Sequence, residues 1–331
     1  MNIPNKIELC NKPTRIEKLE ETSEKYNKNI FLKREDETGT EISGNKIRKL
    51  EFCLKEALEQ GATHILTCGG LESNHARSTV AACRKVGLNP IIFLRAEEIP
   101  ATSGNHFLDN VFGAEINYID VDAFNSGIDE IMKEKVASLL EKGMKGYIIP
   151  MGASYGIGNF GYYDVMKEIM NQEKTSNITF DTIVTTIGSG GTYAGLMMAN
   201  KIHSFNKTIV GIPICDTKEI FEEKILKILE ESNGYLENSV NYSRSDLKIT
   251  RDFAGLGYAL NTEEELQFIK DFARGEGVLL DPTYTGKAFR GMTKLFEENF
   301  FENSKNILFI HTGGVYGLFS KQTQTQINKL K

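Results

Sequence analysis

The chain has 331 residues, of which 40% are hydrophobic and 25% are charged, and its formal net charge is −6. These values are ordinary for a globular protein, and the negative balance argues against a nucleic-acid partner. The N-terminal segment is polar and no apolar run is long enough to cross a bilayer, so we expect a cytoplasmic protein with no membrane partner. Its five cysteines form no C-x-x-C pair, which indicates reduced thiols, and its five histidines show no metal-ligand spacing, so no metal site is expected.

Apolar runs alternate with segments of helical periodicity along most of the chain. The runs predict seven strands, at 64–68, 90–94, 147–150, 182–187, 208–214, 278–280 and 307–310. Helical spacing predicts one apolar face formed by Ile47, Leu50, Leu54, Ala57 and Leu58, and another formed by Phe221, Ile225, Ile228 and Leu229. This alternation predicts an α/β fold in which helices cover both faces of a mostly parallel sheet. Ligands of such sheets bind beyond the carboxyl ends of the strands, so the candidate sites should follow strands directly.

The first candidate group is a lysine at a helix start. The segment 43–45, Ser-Gly-Asn, favours a turn, and Lys46 follows it where the amphipathic helix begins. A lysine that forms a Schiff base must lose its proton, which requires burial or cationic neighbours. Arg48 and Lys49 supply positive charge nearby, and Lys49 is also placed to meet a phosphate. The alternative is an ordinary solvated lysine.

The second candidate is a glycine-rich loop, Gly188-Ser189-Gly190-Gly191-Thr192, directly after the predicted strand 182–187. Without large side chains, its backbone N–H groups can converge on an anion, and the following helix adds its positive end. No Gly-Lys-Ser/Thr follows, so this is not the P-loop of nucleotide-binding proteins. The alternative is a tight turn that needs glycine for its backbone conformation.

The third candidate is the polar run Ser73-Asn74-His75, which follows the predicted strand 64–68 and places hydroxyl, amide and imidazole groups at a helix start. A helix cap at Ser73 and a hydrogen-bonded helix histidine at position 75 are the alternatives. A lysine nucleophile, a phosphate-binding loop and a cluster of polar side chains are together what a pyridoxal-phosphate enzyme needs.

Five ordered motifs resemble the D-cysteine desulfhydrase and 1-aminocyclopropane-1-carboxylate deaminase family of fold-type II pyridoxal-phosphate enzymes. They are KREDETGTEISGNKIRKLEF, SNHARSTVAACRKVGL, GSGGTYAGL, GEGVLLDPTYTGKA and ILFIHTGG, and they span about Phe31 to about Phe319. The resemblance implies an α/β fold of two doubly wound, mostly parallel sheets, similar to the β subunit of tryptophan synthase, and a homodimer. It places a larger cofactor-binding domain at 1–49 and 160–331 and a smaller inserted domain at 50–159.

The resemblance also implies which residues bind the cofactor, pyridoxal 5'-phosphate. Lys46 would carry it as a Schiff base, and the loop 188–192 would bind its phosphate with Lys49 close by. Asn74 would contact the 3-hydroxyl of its ring, and Thr285 would face the ring nitrogen.

On the substrate side, the resemblance implies a catalytic or positioning role for Ser73 and catalytic roles for Tyr258 and Tyr284. Asn74 and His75 would also contact the substrate. The expected substrate is a small amino acid. The sequence leaves its stereochemistry open, and it leaves open whether Lys46 or the Ser73 hydroxyl removes the α-proton.

Position 285 distinguishes branches of the family, because the resemblance implies a glutamate at this position in the branch that opens the cyclopropane ring. A threonine hydroxyl cannot supply an anion that keeps the ring nitrogen protonated, and the weaker electron sink still suffices for β-elimination. Thr285 and His75 therefore favour D-cysteine desulfhydrase, a carbon–sulfur lyase that releases pyruvate, sulfide and ammonia. The alternatives are 1-aminocyclopropane-1-carboxylate deaminase, a lyase acting on L-cysteate, D-serine or β-chloro-D-alanine, and a cofactor-independent phosphate-binding module.

Overall fold

The structure is a computed structural model that describes residues 3–99 and 101–330. The strands are β1 (Ile16–Lys18), β2 (Asn29–Lys33), β3 (His64–Gly70), β4 (Asn89–Arg95), β5 (Glu115–Ile119), β6 (Gly146–Ile148), β7 (Thr182–Ile187), β8 (Thr208–Pro213), β9 (Lys248–Ile249) and β10 (Asn306–Ile310). The α-helices are α1 (Glu20–Tyr26), α2 (Lys46–Glu59), α3 (Asn74–Lys85), α4 (Gly104–Val111), α5 (Val121–Leu140), α6 (Phe160–Ser176), α7 (Gly191–Ile202), α8 (Lys218–Asn233), α9 (Glu263–Glu276), α10 (Thr285–Glu297) and α11 (Lys321–Ile327). Short 3-10 helices cover Glu35–Glu37, Met151–Ala153, Ile157–Asn159, Arg244–Asp246 and Val315–Phe319.

The strands form two sheets, which confirms the predicted α/β class. The larger sheet has the order β1-β2-β10-β7-β8-β9, and the smaller has the order β5-β4-β3-β6. All neighbouring strands are parallel except β1, which pairs with β2 in the antiparallel sense. The smaller sheet lies within the segment 50–159 that was expected to form an inserted domain, and the exact domain boundaries stay a prediction.

Six of the seven predicted strands correspond to strands of the structure, and the seventh, 278–280, is wrong. Val278 and Leu280 are buried in the core of the larger sheet, but the segment has no ladder partner. Instead, the carbonyl of Leu279 pairs with the His311 ring at 2.8 Å. The run resembled a strand in the sequence because it is short and apolar, but its residues are buried by packing and not by strand pairing. Sequence reasoning also missed β1, β2, β5 and β9.

Helix α2 begins at the candidate lysine, Lys46, and is fixed by both packing and charge. The predicted apolar face is buried at Ile47, Leu50, Leu54 and Ala57, whereas Leu58 is 37% exposed. The Arg48 guanidinium pairs with Glu35 at 2.8 Å and with Glu168 at 2.9 Å, so α2 is tied to the segment after β2 and to α6. Breaking one partner of such a buried network leaves an uncompensated charge, which makes the position of α2 costly to change.

Three further observations concern the described residues. No helix in them is long and apolar enough to cross a membrane. All five cysteines are free thiols. No group of three or more His, Cys, Asp or Glu side chains in residues 3–99 and 101–330 is arranged to hold a metal ion.

Candidate active site

A cavity of about 580 Å³ brings together most of the residues that the sequence singled out. The predicted site residues that line it are Lys46, Ser73, Asn74, His75, Gly188, Ser189, Gly190, Thr192, Tyr258 and Tyr284. Segments that follow β3 and β7 meet here, as expected for strands whose carboxyl ends converge. Lys49, Gly191 and Thr285 are buried outside this lining.

Lys46 is placed by the turn before α2. The backbone N–H of Asn45 donates to the Thr312 carbonyl at 3.0 Å, and its side-chain amide donates to Thr192 Oγ1 at 2.9 Å. The turn requires Gly44, because its φ is +108° and a Cβ there would lie 2.9 Å from the Thr312 carbonyl oxygen. Burial lowers the pKa of Lys46 to about 8, so a sizeable share of its amine is uncharged and nucleophilic near neutral pH.

The glycine-rich loop between β7 and α7 forms a cradle that side chains would fill. Gly190 has a φ of +92°, and a Cβ on Gly191 would lie 2.7 Å from Lys49 Nζ. Lys49 Nζ donates to Ser154 Oγ at 3.0 Å, and Ser154 Oγ is 2.8 Å from Ser189 Oγ. Burial lowers the pKa of Lys49 well below its usual value, so a bound anion beside it would restore its charge.

Ser154 is a member of this network that sequence reasoning missed. It bridges Lys49 to the loop, since the N–H of Gly191 also donates to its hydroxyl at 3.3 Å. The available signal in the sequence is that Ser154 lies in the glycine-rich run 152–161. A serine in such a run is unremarkable until the fold brings it to the loop.

The polar run after β3 starts helix α3 and points free acceptors at the cavity region. Ser73 caps α3 by accepting the N–H of Ala76 at 3.2 Å. His75 Nε2 is 2.7 Å from Thr67 Oγ1, and burial lowers the pKa of His75 well below its usual value, so the ring is neutral. Within the described part of the chain, Asn74 Oδ1 and His75 Nδ1 are buried and have no hydrogen-bond partner. Such orphaned atoms are typical of a site that awaits a ligand.

Tyr258 and Tyr284 form a hydroxyl pair at the cavity wall. Their hydroxyl oxygens are 2.8 Å apart and their rings pack edge to face with centroids at 5.8 Å. Glycines make room for both rings, because a Cβ on Gly70 would lie 2.9 Å from Tyr258 and one on Gly188 would lie 3.2 Å from Tyr284. Burial raises the pKa of Tyr258 to about 12 and that of Tyr284 well above its usual value, so both phenols keep their protons and can donate.

Thr285 is held by a different partner from the one expected. Its hydroxyl accepts the N–H of Asp281 at 2.8 Å and donates to Asp281 Oδ1 at 2.7 Å. A contact with a cofactor ring nitrogen would require this hydroxyl to leave Asp281, so that contact stays a prediction. Thr312, which follows β10 in the HTGG motif, lines the cavity itself, although the sequence indicated no specific role for this residue.

The site as a whole fits pyridoxal phosphate on its own geometry. A half-buried lysine with a lowered pKa faces the cavity, and a loop that admits only small residues lies beside a fully buried lysine. The unpartnered polar atoms after β3 provide acceptors for a ring hydroxyl and a substrate. These are the groups that an aldehyde cofactor with a phosphate would engage.

Comparisons with known proteins agree with this interpretation. Residues 7–313 match the family described as "Pyridoxal-phosphate dependent enzyme". A Thermotoga maritima protein provisionally named 1-aminocyclopropane-1-carboxylate deaminase is 41% identical over 96% of this chain and 98% of its own. An Arabidopsis thaliana protein named bifunctional D-cysteine desulfhydrase/1-aminocyclopropane-1-carboxylate deaminase, mitochondrial, is 37% identical over 89% of this chain and 74% of its own. A crystal structure of an ACC deaminase homologue superimposes with a TM-score of 0.89 and 36% identity, covering 99% of this chain and 97% of that one.

Proposed function

The chain belongs to the pyridoxal-phosphate-dependent enzymes and is a lyase of that family, and we propose that its substrate is D-cysteine. The reaction would be an α,β-elimination that, with one water, yields pyruvate, ammonia and hydrogen sulfide. The observation that carries the proposal is the protonated Tyr258–Tyr284 pair, whose hydroxyls are 2.8 Å apart at the cavity wall. Within the pair one phenol donates to the other, and the remaining O–H can donate a hydrogen bond to a departing sulfur, which is the group that must be stabilised in this reaction.

The cofactor would be held by Lys46, by the loop 188–192 with Lys49 and Ser154 behind it, and by Asn74. When bound, pyridoxal phosphate withdraws electrons from the α-carbon and so makes the α-proton acidic. The lowered pKa of Lys46 suits it to accept that proton once its amine is released. Ser73, at the positive end of α3, is placed to bind the carboxylate of the substrate.

A threonine in place of a carboxylate at position 285 supports elimination over ring opening. Position 285 is a threonine, and Asp281 is already occupied by four donors from residues 283–285. Neither side chain is therefore free to hold a proton on the ring nitrogen as an anion would. The resemblance further supports a homodimer as the working form.

The second candidate is 1-aminocyclopropane-1-carboxylate deaminase, an activity that appears in the names of both relatives described above. The experiment that separates the two is a panel of D-cysteine, L-cysteine, D-serine, β-chloro-D-alanine and 1-aminocyclopropane-1-carboxylate, with sulfide, 2-oxo acid and ammonia measured for each. Sulfide release from D-cysteine at the highest kcat/KM supports the proposal. Faster ammonia release from 1-aminocyclopropane-1-carboxylate would replace it with the second candidate.

A matched pair of variants tests the role of the phenols. Tyr284→Phe and Tyr258→Phe each remove one hydroxyl and keep the ring, so the packing of the two rings is retained. We expect sulfide release to fall by about 10²-fold or more, because proton transfer or donation to a leaving group contributes about 10²–10⁴-fold. If both variants release sulfide as fast as the parent protein, the tyrosine pair does not assist the departing sulfur.

A further inference from the structure

One arginine of the cavity has no polar partner. Among the described residues, the side chain of Arg95 makes neither a hydrogen bond nor an ion pair, although it is half-buried and lines the cavity. The other nine arginines all donate to protein acceptors: Arg15, Arg34, Arg48, Arg77, Arg84, Arg244, Arg251, Arg274 and Arg290. A guanidinium has five N–H donors and no means of losing its charge, so an unpartnered one in a cavity is matched to an anion.

The position of Arg95 is fixed by the sheet and by two aromatic rings. It is the last residue of β4 and lies opposite Gly70 in the β3–β4 ladder. Its guanidinium carbon is 5.7 Å from the ring centroid of Phe124 and 5.9 Å from that of Tyr258. Aromatic faces hold a guanidinium in place while leaving its N–H edge free to bind.

These contacts put Arg95 on the substrate side of the cavity. Arg95 approaches Tyr258, whose hydroxyl is hydrogen-bonded to that of Tyr284. Tyr284 is the phenol proposed to face the departing group. The phosphate cradle has its own cation, since Lys49 lies behind the glycine-rich loop. The carboxylate of an amino acid has its own site as well, at Ser73 and the start of α3. The anion left for Arg95 is therefore one carried by the side chain of the substrate.

We propose that Arg95 is a specificity-determining residue that binds a negatively charged group on the β-carbon of the substrate. This inference rests on the proposed function and narrows its substrate class to amino acids with a thiolate, sulfonate or similar acid at that carbon. The free thiol of cysteine has a pKa of about 8.5, so part of it is ionised at neutral pH and a neighbouring guanidinium increases that part. A sulfonate or carboxylate would fit the planar guanidinium with two parallel hydrogen bonds.

The same charge suits Arg95 to the bond-breaking step. As the α-proton leaves, its electron pair forms the Cα–Cβ double bond and the Cβ–S pair stays with sulfur. A thiol departs as hydrogen sulfide ion, and a bound thiolate departs in the same form after it takes the proton of the Tyr258–Tyr284 pair. Negative charge thus develops beside Tyr258 and Arg95, where donors are already in place. A ring-opening substrate would place no anion there and would gain nothing from the guanidinium.

The test uses the holoenzyme and two competitive ligands of similar size, 3-sulfopropanoate and butanoate, which share a carboxylate but differ in a β-anion. We expect the parent protein to bind 3-sulfopropanoate about tenfold or more tighter than butanoate, since hydrogen bonds to charged groups are strong. In Arg95→Leu this ratio should fall close to one, and Arg95→Lys should recover part of it. The kcat/KM for D-cysteine should fall in Arg95→Leu, mainly through a higher KM.

Other outcomes overturn the assignment in identifiable ways. An unchanged ratio in Arg95→Leu means that Arg95 binds no β-anion, and an equal loss of both ligands means that it binds the common carboxylate instead. Arg244→Leu, which removes an exposed arginine outside the cavity lining, controls for loss of charge and should change neither. If the parent protein turns over no amino acid of the panel, the proposed function fails, while ligand-induced shifts in Tm still give the ratio that tests Arg95.

Discussion

Replacing Asp281 by asparagine should destabilise the protein and displace Tyr284, the tyrosine proposed to assist the departing sulfur. The Asp281 carboxylate is buried and accepts four hydrogen bonds, from the N–H groups of Thr283, Tyr284 and Thr285 at 2.9, 2.9 and 2.6 Å and from the Thr285 hydroxyl at 2.7 Å. The asparagine side chain keeps one oxygen, which can still accept two of these hydrogen bonds. Its NH₂ group would face the other two donors and cannot accept from them. Each buried donor left unpaired costs about 1–3 kcal/mol, so the variant should lose about 2–6 kcal/mol.

Thermal unfolding measures this loss. At about 2.1 cal/mol/K of unfolding entropy per residue, 1 kcal/mol corresponds to about 1.4 °C for this chain of 331 residues, so Asp281→Asn should melt about 3 °C or more below the parent protein. Its kcat should fall by up to about 10²-fold, because Tyr284 is no longer held in register. Asp271→Asn is the control, since the Asp271 side chain is 59% exposed and such changes stay within about 0.5 kcal/mol. If the two variants melt at the same temperature, the four bonds to Asp281 do not support the site.

Three further predictions concern the cofactor. Borohydride reduction of the holoenzyme followed by peptide mapping should place the pyridoxyl group on Lys46, and a label on another lysine would refute that assignment. Because burial lowers the pKa of Lys46 to about 8, its uncharged amine grows as pH rises. Binding of pyridoxal phosphate to the apoenzyme should therefore accelerate about tenfold between pH 7 and pH 9 and then level off, whereas an ordinary lysine would give a rise of about a hundredfold without a plateau. Gly190→Asp should lower cofactor occupancy, measured by absorbance, far more than Gly87→Asp. Both glycines have positive φ (+92° and +75°), but a Cβ on Gly87 would meet nothing within 4 Å. Equal occupancy in the two variants would place the phosphate elsewhere.

The sequence alone determined the fold class and most of the candidate site residues. Its strongest signals were local: an apolar run, then a turn of glycines or small polar residues, then an amphipathic helix, as at 182–202. In parallel sheets the carboxyl ends of strands converge, so groups placed after strands meet without further information. The periodicity of α2 was equally local, and Ile47, Leu50 and Leu54 are fully buried as predicted. Strand β2 was not predicted because its last residue, Lys33, is charged, although it is buried against Glu168.

Only the tertiary structure decided which partner each polar group takes. Ser154 reaches Lys49 across 105 positions of the chain, and the hydroxyl of Thr285 turns to Asp281 instead of the cavity. Arg95 is likewise an ordinary arginine in the sequence, and its lack of a partner appears only when its surroundings are known. Hydrogen bonds and ion pairs depend on distances of a few tenths of an ångström between groups that the chain order does not relate. Composition and periodicity carry no such information, because they report which residues are buried and not what those residues touch.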